Sequence, residues 1–431
     1  MSGSARVPDW LSTAEAVDRI LAAVGRLDSE DIALTDAFGR TLAGDVMAPC
    51  DQPPWDNSAM DGYAVRSDDV RGAHASAPRL LRVTESVPAG AFPRSGVGPA
   101  EAVRIMTGAP IPRGADGVIR LEDTTMLEDG RIAINADSDA GRNIRLRGED
   151  MRAGDVVLQD GTQLRAGEIG VLATVGRSVV SVTRRPVVPI LSTGNELVDL
   201  DAFEEVLAGR RIVNSNSWTL AVSTVAVGAT PRRLGIARDD ETDIRRRLSD
   251  AMDGDALVTT AGASVGEHDL VKDALERMGA RTLFWRVRIR PGSPFSFALL
   301  DRAGRLPLPI FGLPGNPVSA LVTFEVLVKP ALRRMLGRRD VHPATLDVRV
   351  AETIQSKAGL VRFLRVRLRR DADGEWWADL TGSQGSGILT SVAQADALLV
   401  VPIDVDTIEA GRRMTAVRLS GVDVAQREPG F

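Results

Sequence analysis

The chain has 431 residues and a formal net charge of -5, with 44% hydrophobic and 26% charged residues. That length predicts about three domains, and the composition is typical of a globular protein with sizeable cores. The negative charge argues against a general nucleic-acid binder, and no run of about 18 apolar residues predicts a membrane span. The first residues lack the apolar core of a signal peptide. We therefore expect a cytoplasmic protein that contacts neither nucleic acid nor membrane.

The low numbers of cysteine, histidine and lysine limit the kinds of metal and anion site that the chain can form. Cys50 is the only cysteine, which excludes an intrachain disulfide and a cysteine metal cluster. The three histidines are far apart in sequence, so a histidine-rich zinc site is not expected. Of the 53 basic residues, 50 are arginines. A coding bias would explain that excess, but any anion site must still be built from arginine, whose planar fork fits phosphate and carboxylate.

The first part of the chain predicts one helix followed by β-rich structure. Residues 10–25 have helical apolar spacing, a Ser or Thr cap and Gly25 as a stop. From about 27 to 180, short Val- and Ile-rich runs alternate with Gly, Pro and Asp turns, which predicts β-strands. Such runs are EAVRIM (101–106), DGVIRL (116–121) and RIAIN (131–135).

One stretch in this part, PPWDNSAMDGYAVR at 53–66, mixes short polar residues with large apolar ones. Asp56, Asn57, Ser58 and Asp61 stand among Trp55, Met60 and Tyr63. Two interpretations are open: a polar turn that happens to carry apolar residues, or a loop held in place to act on a ligand.

From about residue 180 the pattern changes to strands that alternate with helices. The segments RPVVPILSTGNELV, TPRRLGIA, DALVTTAG and LPIFG predict strands, and the segments NSNSWTLAVSTVAVGA, DIRRRLSDAM, HDLVKDALERMG and NPVSALVTFEVLVKPAL predict helices. This alternation indicates a parallel sheet with right-handed crossovers. After about residue 335 the pattern again predicts β-strands.

Three loops follow strands of the predicted parallel sheet: STGNE (192–196), TAGASVGEHD (260–269) and GLPGNPVS (312–319). Ligands of open α/β sheets bind outside the carboxyl ends of the strands. Gly262, Ser264 and Gly266 would let backbone N–H groups approach an anion, although a routine tight turn is the alternative. Acidic residues beside these loops either cap helices or hold Mg²⁺ next to a phosphorylated substrate.

The segment FWRVRIRPGSPFSF (284–297) places Arg286, Arg288 and Arg290 at alternating positions. On one strand, this spacing directs all three side chains to the same face. That face is either an ordinary exposed polar surface or a positive wall for an anionic ligand.

Together these segments resemble the MoeA-type molybdopterin molybdenumtransferase family, which includes the E domain of gephyrin. The resemblance covers roughly residues 10–420. It is carried by PPWDNSAMDGYAVR, RIMTGAPIPRGAD (104–116), NIRLRGEDMRAGD (143–155), PILSTGNELV, NSNSW, SVGEHD, GLPGNPVSA and GSQGSG (382–387).

The resemblance implies a multidomain α+β fold with a central α/β, parallel-sheet, molybdopterin-binding-like domain flanked by β-rich domains, in an elongated L-shaped subunit. The domains expected are 8–52 plus 142–178, 53–141, 179–332 and 333–425. It also implies a homodimer whose active cleft joins the β domain of one subunit to the α/β domain of the other.

The activity implied is molybdenum insertion. The enzyme hydrolyses adenylylated molybdopterin, inserts molybdate into the dithiolene and releases AMP and molybdenum cofactor. Mg²⁺ is the cofactor implied and molybdate is a substrate. The molybdopterin adenylyltransferase and cofactor-accepting proteins are possible partners.

Site residues follow from the same resemblance. The catalytic residues expected are Asp61, Thr107, Asp150, Glu196 and Asp269, of which Asp269 and Glu196 would also hold the metal. The residues expected to bind substrate are Thr193, Gly262, Ser264, Gly266, Arg286, Arg290, Pro291, Gly292, Pro314, Gly315, Asn316, Pro317, Arg365 and Ser386. Trp55, Met60 and Tyr63 would anchor the Asp61 loop in its β domain.

The chain also departs from the family pattern. The family usually has lysines where this chain has Arg286, Arg290 and Ser293. An arginine keeps the positive charge but does not donate a proton near neutral pH. Three alternatives to molybdenum insertion stay open: a tungsten-inserting paralogue, a pyrophosphatase-like or nucleotidyl-transfer enzyme, and a non-enzymatic scaffold.

Overall fold

The computed structural model describes residues 10–260 and 270–419. The chain forms two compact units. The first unit comprises residues 1–43, 161–165 and 179–431, and the second comprises residues 44–160 and 166–178. The boundaries of four domains expected from the sequence stay a prediction.

The described helices and strands are named here in chain order. The helices are α1 (Thr13–Ala23), α2 (Ser67–Val70), α3 (Ala166–Thr174), α4 (Phe203–Leu207), α5 (Ser215–Val227), α6 (Glu241–Ser249), α7 (Leu270–Arg277), α8 (Pro317–Thr323), α9 (Lys329–Met335) and α10 (Leu389–Ala393). The strands up to residue 183 are β1 (Ser29–Ala33), β2 (Val46–Met47), β3 (Asn57–Ser58), β4 (Gly62–Val65), β5 (His74–Val87), β6 (Glu101–Ile105), β7 (Gly117–Arg120), β8 (Thr124–Met126), β9 (Arg131–Ala136), β10 (Ile144–Arg145), β11 (Val156–Leu158) and β12 (Val179–Thr183). The strands that follow are β13 (Val187–Thr193), β14 (Leu197–Val198), β15 (Ile212–Val213), β16 (Thr230–Ala237), β17 (Leu257–Thr260), β18 (Arg281–Arg286), β19 (Ile289–Arg290), β20 (Pro294–Arg302), β21 (Arg305–Leu313), β22 (Thr345–Val350), β23 (Ile354–Gln355), β24 (Val361–Arg370), β25 (Trp376–Leu380), β26 (Ala397–Val401), β27 (Thr407–Ile408) and β28 (Arg413–Arg418).

The first unit is built around a six-stranded sheet in the order β16-β13-β17-β21-β20-β18. Strands β16, β13, β17 and β21 are parallel to one another. Strand β20 pairs antiparallel with both of its neighbours, β21 and β18. The strand order reverses between β13 and β17, so the carboxyl ends of these two strands form a topological switch point, where open α/β sheets bind ligands. The parallel sheet predicted from the alternating pattern is confirmed.

Both faces of this sheet are covered by helices. Because successive side chains of a strand point to opposite sides, neighbouring residues belong to different cores. Ile190 belongs to the core beneath α1, α5, α8 and α9, whereas the adjacent Leu191 belongs to the core beneath α6 and α7. The predicted helices are present. Helix α1 begins at a capping box formed by Ser12 and Glu15, and α5 ends at Gly228, whose φ of 101° is left-handed. Gly25 does not end α1 in that way, since the helix ends in extended backbone at Val24.

A second six-stranded sheet of the first unit has the order β19-β24-β25-β22-β28-β26. An additional pairing of β24 with β26 closes five of these strands into a ring. Its interior is apolar and includes Val348, Val366 and Leu399. This sheet confirms the β-structure expected after residue 335.

The second unit contains a six-stranded sheet in the order β7-β4-β6-β5-β9-β8. Strand β4 lies between β7 and β6, and every one of its residues is buried. The predicted runs EAVRIM, DGVIRL and RIAIN form β6, β7 and β9. Helix α3 was not anticipated, because AGEIGVLAT is too short for helical periodicity to stand out from the β-rich pattern around it.

In the described parts of the chain, every helix is too short or too polar to span a bilayer.

An ion pair fastens the loop after β9 to the end of β7. The Arg120 guanidinium donates to both oxygens of Asp139, from Nε at 2.7 Å and from Nη2 at 2.8 Å. These hydrogen bonds lower the pKa of the Asp139 carboxyl to about 2. The stability that the ion pair gives to the fold is therefore complete above the pKa of Asp139 in the unfolded chain, about 4. It is lost as the pH falls towards 2.

We expect Asp139→Asn to lower the free energy of opening this sheet by about 1 to 2 kcal/mol at pH 7, since Arg120 is partly exposed and solvent screens the pair. Hydrogen exchange of the β7 amides should show this difference at pH 7 and a smaller one at pH 3. The control is Asp129→Asn, because Asp129 forms an exposed pair with Arg131. Equal effects of the two variants at pH 7 would contradict the prediction.

Candidate functional site

The loop of residues 53–66 leads into the buried strand β4. Tyr63 is 3% exposed and packs in the core of the β4 sheet, as expected for an anchor. Trp55 and Met60 are 37% and 38% exposed, so the expectation that they also anchor the loop is wrong. Trp55 instead makes an edge-on contact with Phe92, with ring centroids 4.9 Å apart.

Backbone and short polar side chains hold this loop. The Asp56 carboxylate accepts a hydrogen bond from the Arg147 backbone N–H at 2.7 Å, and the Ser58 hydroxyl donates to the carbonyl of Met60 at 2.6 Å. A β-carbon at Gly62 would overlap the carbonyl oxygen of Ile119 on β7. The loop is therefore fixed by its polar residues and by a glycine, which favours the second interpretation of its sequence.

Asp61 lies at the exposed end of this loop and is paired with Thr107. Both the backbone N–H and the hydroxyl of Thr107 donate to Asp61 Oδ1, at 2.7 and 2.8 Å. The backbone hydrogen bond and then the hydroxyl hydrogen bond lower the pKa of the Asp61 carboxyl. Two catalytic candidates that are distant in sequence are thus in contact, and Thr107 orients the ionised Asp61 carboxylate. Its second oxygen, Oδ2, is left to solvent or a ligand.

Asp150 belongs to the same unit, but no contact joins it to Asp61 or Thr107 within the described residues. Its backbone N–H donates to the carbonyl of Gln52 at 3.0 Å, and its side chain is exposed. The structure therefore brings together two of the three candidates in this unit.

In the first unit, the STGNE loop follows β13 at the switch point. Thr193 is buried, Gly194 has a φ of 146°, and Glu196 is exposed. The Glu196 carboxylate folds back over Gly194, where any β-carbon would meet both of its oxygens. Gly194 is thus required for the position of Glu196.

A buried polar network that the sequence did not indicate supports this loop. The Thr260 hydroxyl donates to Ser192 Oγ at 2.8 Å, and Ser192 Oγ donates to Asn214 Oδ1 at 2.9 Å. Asn214 is also the cap of α5. Ser192 and Thr260 open the STGNE and TAGASVGEHD loops and are register partners of β13 and β17, a pairing that no local sequence pattern records.

The GLPGNPVS loop connects β21 to α8 at the same edge of the sheet. Pro314 is buried, Gly315 and Asn316 are exposed, and Pro317 is the first residue of α8. The carbonyl of Gly315 accepts a hydrogen bond from Asn216 Nδ2 at 2.7 Å, which links the loop to the start of α5.

Four expected residues, Gly262, Ser264, Gly266 and Asp269, lie outside the described residues. Within residues 10–260 and 270–419, no group of three or more His, Cys, Asp and Glu side chains gathers in a way that suits a metal ion. Mg²⁺ usually takes only one or two carboxylates together with phosphate oxygens and water. The exposed Glu196 carboxylate fits that mode of binding.

The expectation that Arg286, Arg288 and Arg290 share the face of one strand is wrong. Arg286 ends β18 in the parallel-sheet domain, whereas Arg290 lies in β19 and pairs with β24 of the other sheet. Where the chain changes sheets, Val287 and Ile289 are buried in the core and the N–H of Arg288 donates to the carbonyl of Leu11 at 2.8 Å. The Arg286 guanidinium lies 4.7 Å from the Trp285 ring centroid and 5.5 Å from that of Trp10.

Arg290 instead lines a cavity of about 410 Å³ that also contains expected residues from the end of the chain. Its lining includes Arg290, Pro291, Gly292, Arg365 and Ser386. Gly292 packs so closely on α8 that a β-carbon would overlap the Thr323 side chain, and the carbonyl of Ser386 accepts a hydrogen bond from Val318 of α8 at 3.1 Å. Five substrate-binding candidates from two distant segments therefore meet in one place.

Arg365 is fully buried in the wall of this cavity. Its Nε donates to the Ser391 hydroxyl at 3.0 Å, and its Nη2 donates to the carbonyls of Ser383 and Gly385 at 3.3 and 3.0 Å. Its Nη1 is buried without a partner among the described residues. Burial lowers the pKa of Arg365, but a guanidinium stays charged in proteins. A buried cation with an unused donor suits an anionic ligand.

Two further residues of this wall were missed. Gln384 accepts a hydrogen bond from the backbone N–H of Arg365 at 2.8 Å, and its own amide donates to the carbonyl of Arg365 at 3.2 Å. Arg362 also lines the cavity. Its closeness in sequence to Arg365, three residues away, could have indicated a second cavity residue, but the pattern of VRFLRV predicts only a strand.

Fold and site together define a multidomain α+β protein with an arginine-lined cavity and with candidate ligand loops at the switch point of a parallel sheet. Three family models match consecutive parts of the chain. They are the MoeA N-terminal region (domain I and II) at residues 11–176, a probable molybdopterin binding domain at 189–334 and the MoeA C-terminal region (domain IV) at 335–419.

Whole proteins and a solved structure agree with these matches. A molybdopterin molybdenumtransferase of Nostoc sp. is 37% identical over 396 residues, which are 91% of this chain and 89% of that protein. One of Staphylococcus aureus is 33% identical over 415 residues, 96% of each chain. The crystal structure of the molybdopterin biosynthesis MoeA protein from Pyrococcus horikoshii OT3 covers 95% of this chain and 100% of its own, with a TM-score of 0.81 and 30% identity. The chain belongs to the MoeA family of molybdopterin molybdenumtransferases, enzymes of molybdenum cofactor biosynthesis.

The Thr107 hydroxyl should contribute to the low pKa of Asp61. We expect Thr107→Val to raise that pKa while leaving it below the ordinary value, because the backbone N–H still donates to Asp61 Oδ1. Carbon-13 titration of the Asp61 carboxyl measures the change, and Thr107→Ser, which keeps the hydroxyl, is the control. An unchanged pKa in the valine variant would show that the hydroxyl is irrelevant to Asp61.

Proposed function

We propose that this chain is a molybdenum insertase that acts on adenylylated molybdopterin and molybdate. The observation that carries the proposal is the arginine-lined cavity in which Arg290, Arg365 and Ser386 meet. The relatives are molybdopterin molybdenumtransferases, which supports molybdenum as the group transferred. As part of the same proposal, the enzyme works in the cytoplasm.

In the proposed reaction, the cavity binds the tetrahedral molybdate dianion. Arg290 and the buried Arg365 attract it by charge and by charge-assisted hydrogen bonds, which are stronger than neutral ones. The Ser386 hydroxyl would add a neutral donor. Because guanidinium groups do not titrate near neutral pH, this wall orients the oxyanion and does not move protons.

The phosphorylated substrate would bind at the nearby edge of the parallel sheet. Thr193, Gly315, Asn316 and the turn residues Pro314 and Pro317 belong to loops at the carboxyl ends of β13 and β21, and Gly262, Ser264 and Gly266 follow β17 in sequence. Arg286 would add positive charge. These loops suit the pterin and phosphate groups, since phosphate is commonly bound at such strand ends.

Hydrolysis of the adenylate adds water to phosphorus and breaks the phosphoanhydride bond, which releases AMP. Glu196 and Asp269 would hold Mg²⁺, which when bound neutralises charge on the phosphate oxygens. Asp61 is ionised and oriented by Thr107, so in our proposal it acts as an acceptor that orients a hydrogen-bond donor of the substrate. Asp150 would contribute a second exposed carboxylate in the same unit.

AMP release from adenylylated molybdopterin in the presence of Mg²⁺ and molybdate tests this function directly. We expect Asp269→Asn to lower the rate by about 10²- to 10³-fold, the usual effect of losing one preorganised electrostatic group. Asp301→Asn, a change of the same kind at an exposed position of β20, should leave the rate unaltered.

Different outcomes of this assay separate the alternatives. AMP release without molybdenum transfer would indicate a pyrophosphatase-like enzyme, and equal use of tungstate would indicate a tungsten-inserting paralogue. No AMP release from folded protein would leave only a scaffold role. Near-normal turnover by Asp269→Asn would reduce Asp269 to a helix cap.

We also propose that the protein acts as a homodimer, as the family resemblance implies. The chain mass is 46.0 kDa, so light scattering of the full-length protein should give about twice that mass. A fully active monomer would contradict this expectation. Delivery of substrate by a molybdopterin adenylyltransferase and transfer of product to cofactor-accepting proteins complete the proposal.

A further inference from the structure

The anion cavity of the first unit contains a third arginine that sequence reasoning did not assign. Arg290 and Arg362 are backbone partners where β19 pairs with β24, and Arg365 lies three residues further along β24. All three line the cavity of about 410 Å³. Two of them are therefore neighbours by strand register, which keeps two like charges close together.

Arg362 also carries an unused donor. Its Nε is buried and has no hydrogen-bond partner among the described residues, like Nη1 of Arg365. A buried N–H without a protein partner can be satisfied by water or by a ligand, and among the arginine Nε atoms of this kind in the described chain Arg362 is the one that also lines the cavity. An arginine that merely extended into solvent would expose this atom to water.

The charges around the cavity are one-sided. None of the described residues that line it is an aspartate or glutamate. Burial, and then repulsion from Arg290, lower the pKa of Arg362. With Arg365 included, three arginines contribute to a lining whose described residues carry no negative charge.

We propose that Arg362 is an anion-binding residue that makes this cavity select doubly charged tetrahedral oxyanions over singly charged ones. The inference rests on the proposed function, in which molybdate is the dianion. Attraction scales with the product of the charges, so a third guanidinium strengthens binding of a dianion about twice as much, in logarithmic terms, as binding of a monoanion. In this proposal, Arg365 and Ser386 select oxyanions by size and shape, and Arg362 selects them by charge.

Calorimetry on the full-length protein with molybdate and with perrhenate tests this inference. Perrhenate is a tetrahedral oxyanion of similar size that carries a single charge. We expect Arg362→Gln to weaken molybdate binding by about 10- to 100-fold, the loss usual for a hydrogen bond to a charged group. Perrhenate binding should weaken by about the square root of that factor. Arg362→Lys, which keeps the charge, should retain most of the preference for molybdate.

The matched control is Arg367→Gln on the same strand, because Arg367 is exposed and donates to Gln394 instead of lining the cavity. All titrations share one ionic strength, since salt screens exposed charges more than buried ones, and circular dichroism establishes that each variant is folded. Unchanged molybdate affinity in Arg362→Gln, or equal losses for both oxyanions, would overturn the inference.

The result is also distinguishable from failure of the proposed function. Oxyanion binding that depends on Arg362, in a protein that releases no AMP, would support this inference and refute the insertase. Turnover with an Arg362→Gln variant that binds molybdate as well as the wild type would support the insertase and refute this inference.

Discussion

The burial of the Arg365 guanidinium is the constraint on which the arginine-lined cavity depends. A charged group removed from water needs hydrogen-bond partners. Here Nε and Nη2 donate to the Ser391 hydroxyl and to the carbonyls of Ser383 and Gly385, whereas Nη1 has no partner among the described residues. Those bonds fix the path of the GSQGSG loop. The loop in turn accepts a hydrogen bond from α8 through the carbonyl of Ser386. One buried cation thereby joins the ring of strands to the helix that follows the parallel sheet.

The order of the parallel strands explains why the remaining loops of the first unit gather near α8. Strands β13, β17 and β21 are adjacent, so everything that follows their carboxyl ends lies along one edge. Hydrogen bonds among Ser192, Asn214 and Thr260 bind that edge from within. Asn216 binds it from α5 through the carbonyl of Gly315. The ligand loops are thus held by polar groups behind them, which leaves their own outer groups available to substrate.

Elements with a strong repeating pattern could be predicted from the sequence, and so could motifs that stand directly after a strand. The alternating strands and helices of residues 187–335 are an example, because burial on both faces of a parallel sheet imposes long apolar strands and amphipathic helices. The junction at Arg286–Arg290 was predicted wrongly for a related reason. Alternating burial does continue through Val287 and Ile289, but periodicity within a segment does not say with which sheet the segment pairs.

The same limit applies to the candidate site. Asp61, Thr107, Arg290 and Arg365 were identified through family motifs, whereas Arg362, Gln384 and the Ser192 network depend on tertiary contacts that no local pattern records. Trp55 and Met60 were expected, with Tyr63, to anchor the Asp61 loop in its β domain. A strand buried on both faces had already anchored the loop through Tyr63, so these two side chains were free to stay near the surface.

The arginines and the serine that replace the lysines expected at 286, 290 and 293 are best understood as a redistribution of charge. Arg286 lies beside two indole rings, where a planar guanidinium stacks better than an ammonium group. Position 293 contributes no charge, because serine is neutral; its hydroxyl donates to the carbonyl of Ile289 at 2.6 Å in the turn before β20. Ser293 and Arg362 line the same cavity. In the function proposed above, the positive charge of this cavity therefore comes from Arg290, Arg362 and Arg365 and not from position 293.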